Sequence, residues 1–187
     1  DGSRLSEQEL LDTLLLTISA GFETTVNLLD SAVHALATHP TQLDLVATGA
    51  STWDDVVDET LRWQAPVPNL PLRYAVQDVE VDGVPIAKGD AILVSFGAAG
   101  RDPGRHGANA EEFDLTRPSR RDHLAFGHGV HYCLGSPLAR TEATVALRAL
   151  FERFPNLRLA VPPAELEPLG SFFTNGHKTL PVVLEED

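Results

Sequence analysis

Cysteine occurs once in the 187 residues, bases number 14 against 27 acids, and apolar stretches are short. A lone thiol excludes an internal disulfide and fits a reducing compartment, so a cytoplasmic location is expected. The formal net charge of −13 argues against a nucleic-acid partner, whose phosphates it would repel. The run Leu14-Leu15-Leu16 breaks at Thr17, far short of the ~20 apolar residues that a membrane span needs. Asp1-Gly2-Ser3-Arg4 has none of the marks of a secretory leader, and no membrane partner is expected. The length suits one domain with its own core, or part of something larger.

The single cysteine lies in Phe126-Gly127-His128-Gly129-Val130-His131-Tyr132-Cys133-Leu134-Gly135. Glycines take backbone angles closed to other residues and let the chain approach a bulky ligand, so Gly127, Gly129 and Gly135 suggest a cradle of N–H groups around the sulfur. A helix is predicted immediately afterwards, with Ser136 as its cap, Pro137 in its first turn and Leu138, Val145, Leu147, Leu150, Phe151 and Phe154 at helical spacing. Its positive end and the loop amides would favour a thiolate, which binds metal or attacks carbon. A buried, inert cysteine in a Gly-rich turn is the plain alternative. Two chemical ones are a zinc site of His128, His131 and Cys133 with His123 nearby, and a Cys133 nucleophile with His131 as base.

The pattern F-x-x-G-x-x-x-C-x-G, carried by Phe126, Gly129, Cys133 and Gly135, resembles the haem-binding loop of the cytochrome P450 family. The resemblance implies haem as cofactor, with Cys133 as the axial iron ligand. It also implies a fold that is mainly α with small β-sheets, the carboxy-terminal half of the family's fold.

Earlier in the chain, Ser6-x-x-Glu9 is a capping-box pattern, and Leu10, Leu11, Leu14, Leu15 and Ile18 share a helical face. The predicted helix runs into Ala20-Gly21-Phe22-Glu23-Thr24-Thr25, where glycine and β-branched threonines weaken it and hydroxyls can bond back one turn. An ordinary helix with internally bonded threonines and an exposed Glu23 would read the same. This stretch is similar to the family's oxygen-binding segment. On that match Glu23 and Thr24 handle protons during dioxygen activation, and Ala20 and Gly21 leave room beside the iron. The helix is expected to stop at His39-Pro40; His34 and His39 fit a helix end or surface better than a ligand set.

Thr52-Trp53-Asp54-Asp55 has the form of a helix start, followed by Val56, Val57, Thr60 and Leu61. Glu59 and Arg62 stand three apart on it, a pair that is common by chance. In the family an E-x-x-R pair falls here, completed by a later arginine for which Arg117 in Phe113-Asp114-Leu115-Thr116-Arg117-Pro118 is the candidate. The implied role is structural.

Pro66, Pro68 and Pro71 forbid helix, and strands are predicted around a hairpin at Asp82-Gly83 and over Ile92-Leu93-Val94. By resemblance Arg73 and His131 hold the haem propionates, a task suited to a planar guanidinium; a surface arginine is the alternative for Arg73. Val67, Asn69, Leu70, Phe172, Phe173 and Thr174 fall where the family lines its substrate cavity, though ordinary core would also use them. Gly100 departs from the asparagine more usual before Arg-Asp-Pro. Pro103 to Arg121 should be mostly irregular, and short strands are expected after Asn156.

The matches imply boundaries of 1–40 for the oxygen-binding helix, 52–65 for the E-x-x-R helix and 72–96 for a β region. They give 100–135 for the meander and cysteine loop, 136–155 for the next helix and 156–187 for a terminal β region. All belong to the family's carboxy-terminal half, so a fragment of a bacterial-type haem–thiolate monooxygenase is expected, acting on an apolar small molecule with dioxygen. A haem module that only senses or carries electrons is a further alternative, against which Glu23-Thr24 speaks. Residues 1–60 hold eleven acids and one base, whereas 115–141 hold Arg117, Arg120, Arg121 and Arg140 against Asp122 alone. That basic island is either a solvated, ion-paired surface or a dock for an acidic ferredoxin-type electron donor.

Overall fold

The computed structural model describes residues 4–185. Helix α1 spans Glu7–Thr38. Ser6 caps it as its spacing predicts: Glu9 N–H donates to Ser6 Oγ, and Glu9 Oε2 accepts from Ser6 N–H at 2.8 Å. The helix runs through Gly21, Thr24 and Thr25 without interruption. Back-bonding takes up the hydroxyls of Thr13, Thr17 and Thr24, each donating to the carbonyl four residues earlier. Helix α2, Pro40–Ala47, follows at once, because His39 ends α1 with its N–H on Ala35 O at 2.9 Å and Pro40 suits a first turn.

Helix α3, Trp53–Trp63, is capped reciprocally by Thr52 and Asp55. Its Val56, Val57 and Leu61 join Leu28, Val33 and Leu36 of α1 in one core. Helix α6, Ser136–Arg153, closes that core with Ala143, Leu147 and Phe151, and Phe113, Leu115 and Leu157 fill between. Each such large side chain removed from water contributes roughly 1.5–3 kcal/mol, which makes this three-helix junction the stable centre.

The strands form two-stranded antiparallel sheets. Strand β1, Asn69–Tyr74, pairs with β4, Ala91–Ser95, with an irregularity between Leu70 and Arg73. Pro71 falls inside that irregularity, where a missing N–H breaks no ladder bond. Strands β2, Val79–Val81, and β3, Val84–Ile86, form the expected hairpin; Asp82 (φ 50°) and Gly83 (φ 77°) are both left-handed, as a tight primed turn requires. Strands β5, Arg158–Leu159, and β6, Val182–Val183, pair near the end. Single helical turns, α4 (Phe96–Gly100) and α5 (Pro103–His106), follow β4.

Helix α6 is Ser136–Arg153, and its start corrects the sequence reading. Gly135, not Ser136, is the N-cap and supplies no side-chain bond. Ser136 is already helical and buried, because Ala139 N–H reaches Gly135 O at 2.9 Å and so begins the helix one residue earlier.

Packing is uneven along α1. Its last three turns are in the core, whereas Leu10, Leu14, Leu15, Ile18 and Phe22 of its first five turns are exposed, Phe22 at 72%. Among the described residues no helix is long and apolar enough to cross a membrane.

Candidate functional site

The cysteine loop is shaped by its own main chain. Gly127 and Gly129 are left-handed at φ 77° and 73°, angles that an L side chain would strain. Gly127 N–H donates to Leu124 O at 2.8 Å, and a 3-10 turn over Gly129–His131 follows. Cys133 N–H then returns to Phe126 O at 2.9 Å, and Ser136 N–H reaches Cys133 O at 3.3 Å, linking loop to α6. Below the loop the Phe126 ring packs against His123 and Tyr132, with the Arg140 guanidinium 5.2 Å from its centre. Cys133 itself is exposed, between Val130 at 97% and Leu134 at 90%. The loop thus turns a thiol and two apolar side chains outward, and Cys133 is not buried.

Glu23, Ala20 and Gly21 are exposed on α1, and a Cβ on Gly21 would meet nothing within 4 Å. Thr24 is half-buried, its Oγ1 on Ala20 O at 2.8 Å with lone pairs left to accept. Arg73, opposite Ile92 in the sheet, and His131 are both exposed. Val67, Asn69 and Leu70 are half-buried, Phe172 and Phe173 exposed and Thr174 buried. The structure joins these two lining segments across 103 residues: Asn69 Nδ2 donates to Phe172 O at 2.8 Å. That bond answers the demand of a polar residue among prolines for a partner.

Glu59, Arg62 and Arg117 form the buried network anticipated from the E-x-x-R spacing. Arg62 grips Glu59 through Nε at 2.8 Å and Nη2 at 2.7 Å, with both side chains fully buried. Arg117 Nε adds a bond to Glu59 Oε1 at 3.3 Å. The remaining guanidinium hydrogens go to carbonyls of Gly100, Ala110 and Glu112 from Arg62, and of His106 and Asn109 from Arg117. Arg62 and Arg117, both gathered on Glu59, thereby hold the chain from Gly100 to Glu112. Gly100 has a steric reason: a Cβ there would collide with the Arg62 carbonyl oxygen. His106, buried against this network, sits below the ordinary histidine value because burial disfavours its charge and Arg62 and Arg117 repel it.

Of the two readings of the basic island, the structure shows the ion-paired one. Arg117 is buried, Arg120 donates to Asp55 at 2.5 Å, Arg121 donates to Asp58 at 2.9 Å, and Arg140 also pairs with Asp58. The acids of α3 thus neutralise the arginines of the loop, leaving only Arg121 well exposed, at 65% of its side chain. Burial would raise Asp58, but hydrogen bonds from His123 and Arg140 outweigh it and hold the carboxyl below its ordinary value. The charge asymmetry between residues 1–60 and 115–141 was the available signal for these pairs.

A haem requires a soft donor for its iron, apolar surroundings and N–H donors for its carboxylates. An open thiol on a glycine-shaped loop, flanked by Val130 and Leu134, and exposed Arg73 and His131 fit those needs. The zinc alternative finds no support: among the described residues no three His, Cys, Asp or Glu side chains gather to hold a metal ion. The family model described as Cytochrome P450 matches residues 52–174, and the chain belongs to that family, whose members use haem iron.

The chain is 49% identical over 185 residues to 2-hydroxy-5-methyl-1-naphthoate 7-hydroxylase of Streptomyces carzinostaticus, covering 99% of this chain and 45% of that protein. It is 43% identical over 185 residues to 6-deoxyerythronolide B hydroxylase of Saccharopolyspora erythraea, covering 99% and 45%. CYP154A1 from Streptomyces coelicolor A3(2) superposes with a TM-score of 0.89 at 59% identity, covering 98% of this chain and 46% of that one. The chain therefore spans a little under half the length of the relatives it matches.

Proposed function

We propose that this chain is the haem-bearing part of a bacterial monooxygenase that places one atom of dioxygen into an apolar small molecule. The observation that carries this reading is the exposed Cys133 thiol, presented by main-chain bonds on a glycine-shaped loop within a family that uses haem. In this reading Cys133 would supply the sulfur donor to the haem iron, Phe126, Gly127, Gly129 and Gly135 would shape its seat, and Arg73 and His131 would hold the carboxylates of the cofactor. The bound haem supplies the activation of dioxygen, and the protein supplies orientation and electrostatics.

Glu23 would relay protons, since a carboxylate set beside Thr24 on α1 can both take one up and pass it on. Thr24 passes a proton through Oγ1, which donates to Ala20 O at rest and can accept from a neighbour. Ala20 and Gly21 keep that stretch of α1 free of bulk. Val67, Asn69, Leu70, Phe172, Phe173 and Thr174 line the apolar substrate, and the Asn69–Phe172 bond holds the lining as a unit. The division at 40, 52–65, 72–96, 100–135, 136–155 and 156–187 assigns oxygen handling, anchoring, cofactor binding and lining to successive segments. Substrates of the hydroxylase relatives, a naphthoate and a deoxyerythronolide by name, favour a bulky, largely apolar ligand. Electrons come from an acidic ferredoxin-type donor in the cytoplasm, docking beside Arg121.

The visible spectrum of the reduced, carbon-monoxide-treated full-length protein tests the reading. A strongly red-shifted Soret band is expected, and its loss in Cys133→Ser. A variant that keeps the wild-type band would overturn the assignment of Cys133.

A further inference from the structure

Asp30 lies on α1 about two turns beyond Glu23 and Thr24, and His177 lies just after Phe172, Phe173 and Thr174. Across 147 residues Asp30 Oδ2 accepts from the His177 main-chain N–H at 3.0 Å and from its ring Nδ1 at 2.9 Å. A carboxylate only accepts, so Nδ1 carries the ring hydrogen. The two side chains are 12% and 19% exposed, and the His34 ring packs 4.8 Å from that of His177.

Gly176 shows how closely the segment presses on α1. A Cβ there would lie 2.9 Å from Asn27 Oδ1 and 3.3 Å from Asp30 Oδ2, so only glycine fits without movement. On its other side the segment is tied to the passage before β1: Asn175 N–H donates to Pro66 O at 2.9 Å, Asn175 Nδ2 to Gln64 Oε1 at 2.7 Å, and Asn69 Nδ2 to Phe172 O. Those bonds fix Phe172 and Phe173 relative to β1. The Asp30 bonds tie the same segment to α1, the helix that bears Glu23 and Thr24.

We propose that the Asp30–His177 pair is a positioning element that sets how Phe172 and Phe173 stand relative to α1, and thereby which apolar ligands the site accepts. This rests on the haem–thiolate reading for its consequence, but the pair can be tested apart from it. Asp30→Ala removes both bonds to a charged acceptor, and either one is worth roughly a tenfold change in the local equilibrium, so about tenfold is the least effect expected.

The experiment compares the full-length wild type with Asp30→Ala, His177→Ala and His177→Asn. Amide hydrogen exchange over residues 169–178, without ligand, should accelerate by at least about tenfold in Asp30→Ala while α3 amides keep their rates. Imidazole and 4-phenylimidazole are then titrated spectroscopically; the first reports on the iron alone, the second also on the walls. The ratio of their dissociation constants should shift by at least about tenfold against the phenyl compound in Asp30→Ala, with imidazole unchanged. His177→Asn, which keeps a side-chain donor, should lie nearer wild type than His177→Ala, a rescue that a mere loss of packing would not give. Unchanged exchange and an unchanged ratio in Asp30→Ala overturn the proposal, and the same result in His177→Ala does so if Asp30→Ala fails to fold. A wild type that takes up no haem overturns the functional reading and the tuning of ligands with it, while the exchange rates still decide whether Asp30 holds the segment.

Discussion

Arg62 donates through Nη1 to the Gly100 carbonyl at 2.6 Å, and the Arg62 carbonyl in turn fills the space where a Gly100 side chain would begin. The two residues interlock, so backbone and guanidinium are placed together. Gly100→Ala is predicted to destabilise the protein by about 1–3 kcal/mol, the usual cost of forcing extra atoms into a packed site. Thermal unfolding of the full-length protein checks this, and an unchanged midpoint would contradict the interlock.

Among the described residues Glu59 is the one carboxylate paired with the buried guanidinium groups of both Arg62 and Arg117. Glu59→Gln leaves two cations facing one neutral amide, and breaking a buried pair in this way costs about 3–5 kcal/mol. The meander should loosen first, because its carbonyls are what Arg62 and Arg117 hold. Hydrogen exchange that rises over 106–117 before it rises in α6 is the expected signature.

Stability should fall in two stages on acidification. His34 sits below the ordinary histidine value, first because of burial and next because of the nearby His177, and His106 is lowered chiefly by burial. The folded state then binds fewer protons than the unfolded one, so stability is full above about 6.5 and declines as pH falls below it. In Asp55 and Asp58 burial opposes the charge, but hydrogen bonds from Thr52 and Arg120, and from His123 and Arg140, prevail and lower both. Their contribution is present above about 3.8 and disappears as pH drops through the folded values. Urea midpoints measured from pH 8 to 3 should show a shallow step and then a steep one. His34→Gln should shrink the first alone.

Docking of an acidic electron donor can be probed at Arg121, since Asp58 keeps Arg140 and His123 as partners when Arg121 is reversed. Arg121→Glu is expected to slow reduction by a ferredoxin-type protein more at low salt than at high, because exposed charges act over about 10 Å at 0.1 M salt. Equal slowing at both salts would remove the electrostatic role. Reversing Arg120 is a poorer test, as it would set a second carboxylate against Asp55.

Local chemistry was readable in the sequence. The Ser6–Glu9 box, the Thr52 cap and the Asp82-Gly83 hairpin each depend on neighbours a few residues apart, and each is present. The cysteine loop was legible for the same reason, its glycines standing where the main chain turns left-handed. Ser136 misled because a good capping residue was available one position after the true start of α6. The pairs Asp55–Arg120, Asp58–Arg140 and Asp30–His177 join residues 65, 82 and 147 apart, and no spacing rule reaches that far. Charge asymmetry hinted at the first two. Nothing in the sequence singled out Asp30.

The bare first turns of α1 carry a practical warning for anyone preparing this polypeptide. At 1.5 Å per residue, the stretch from Leu10 to Val26 is a greasy rod roughly 25 Å long, and water will drive such rods together. Solutions of these 187 residues alone should scatter more light as they are concentrated, and co-expression with the rest of the enzyme should clear them.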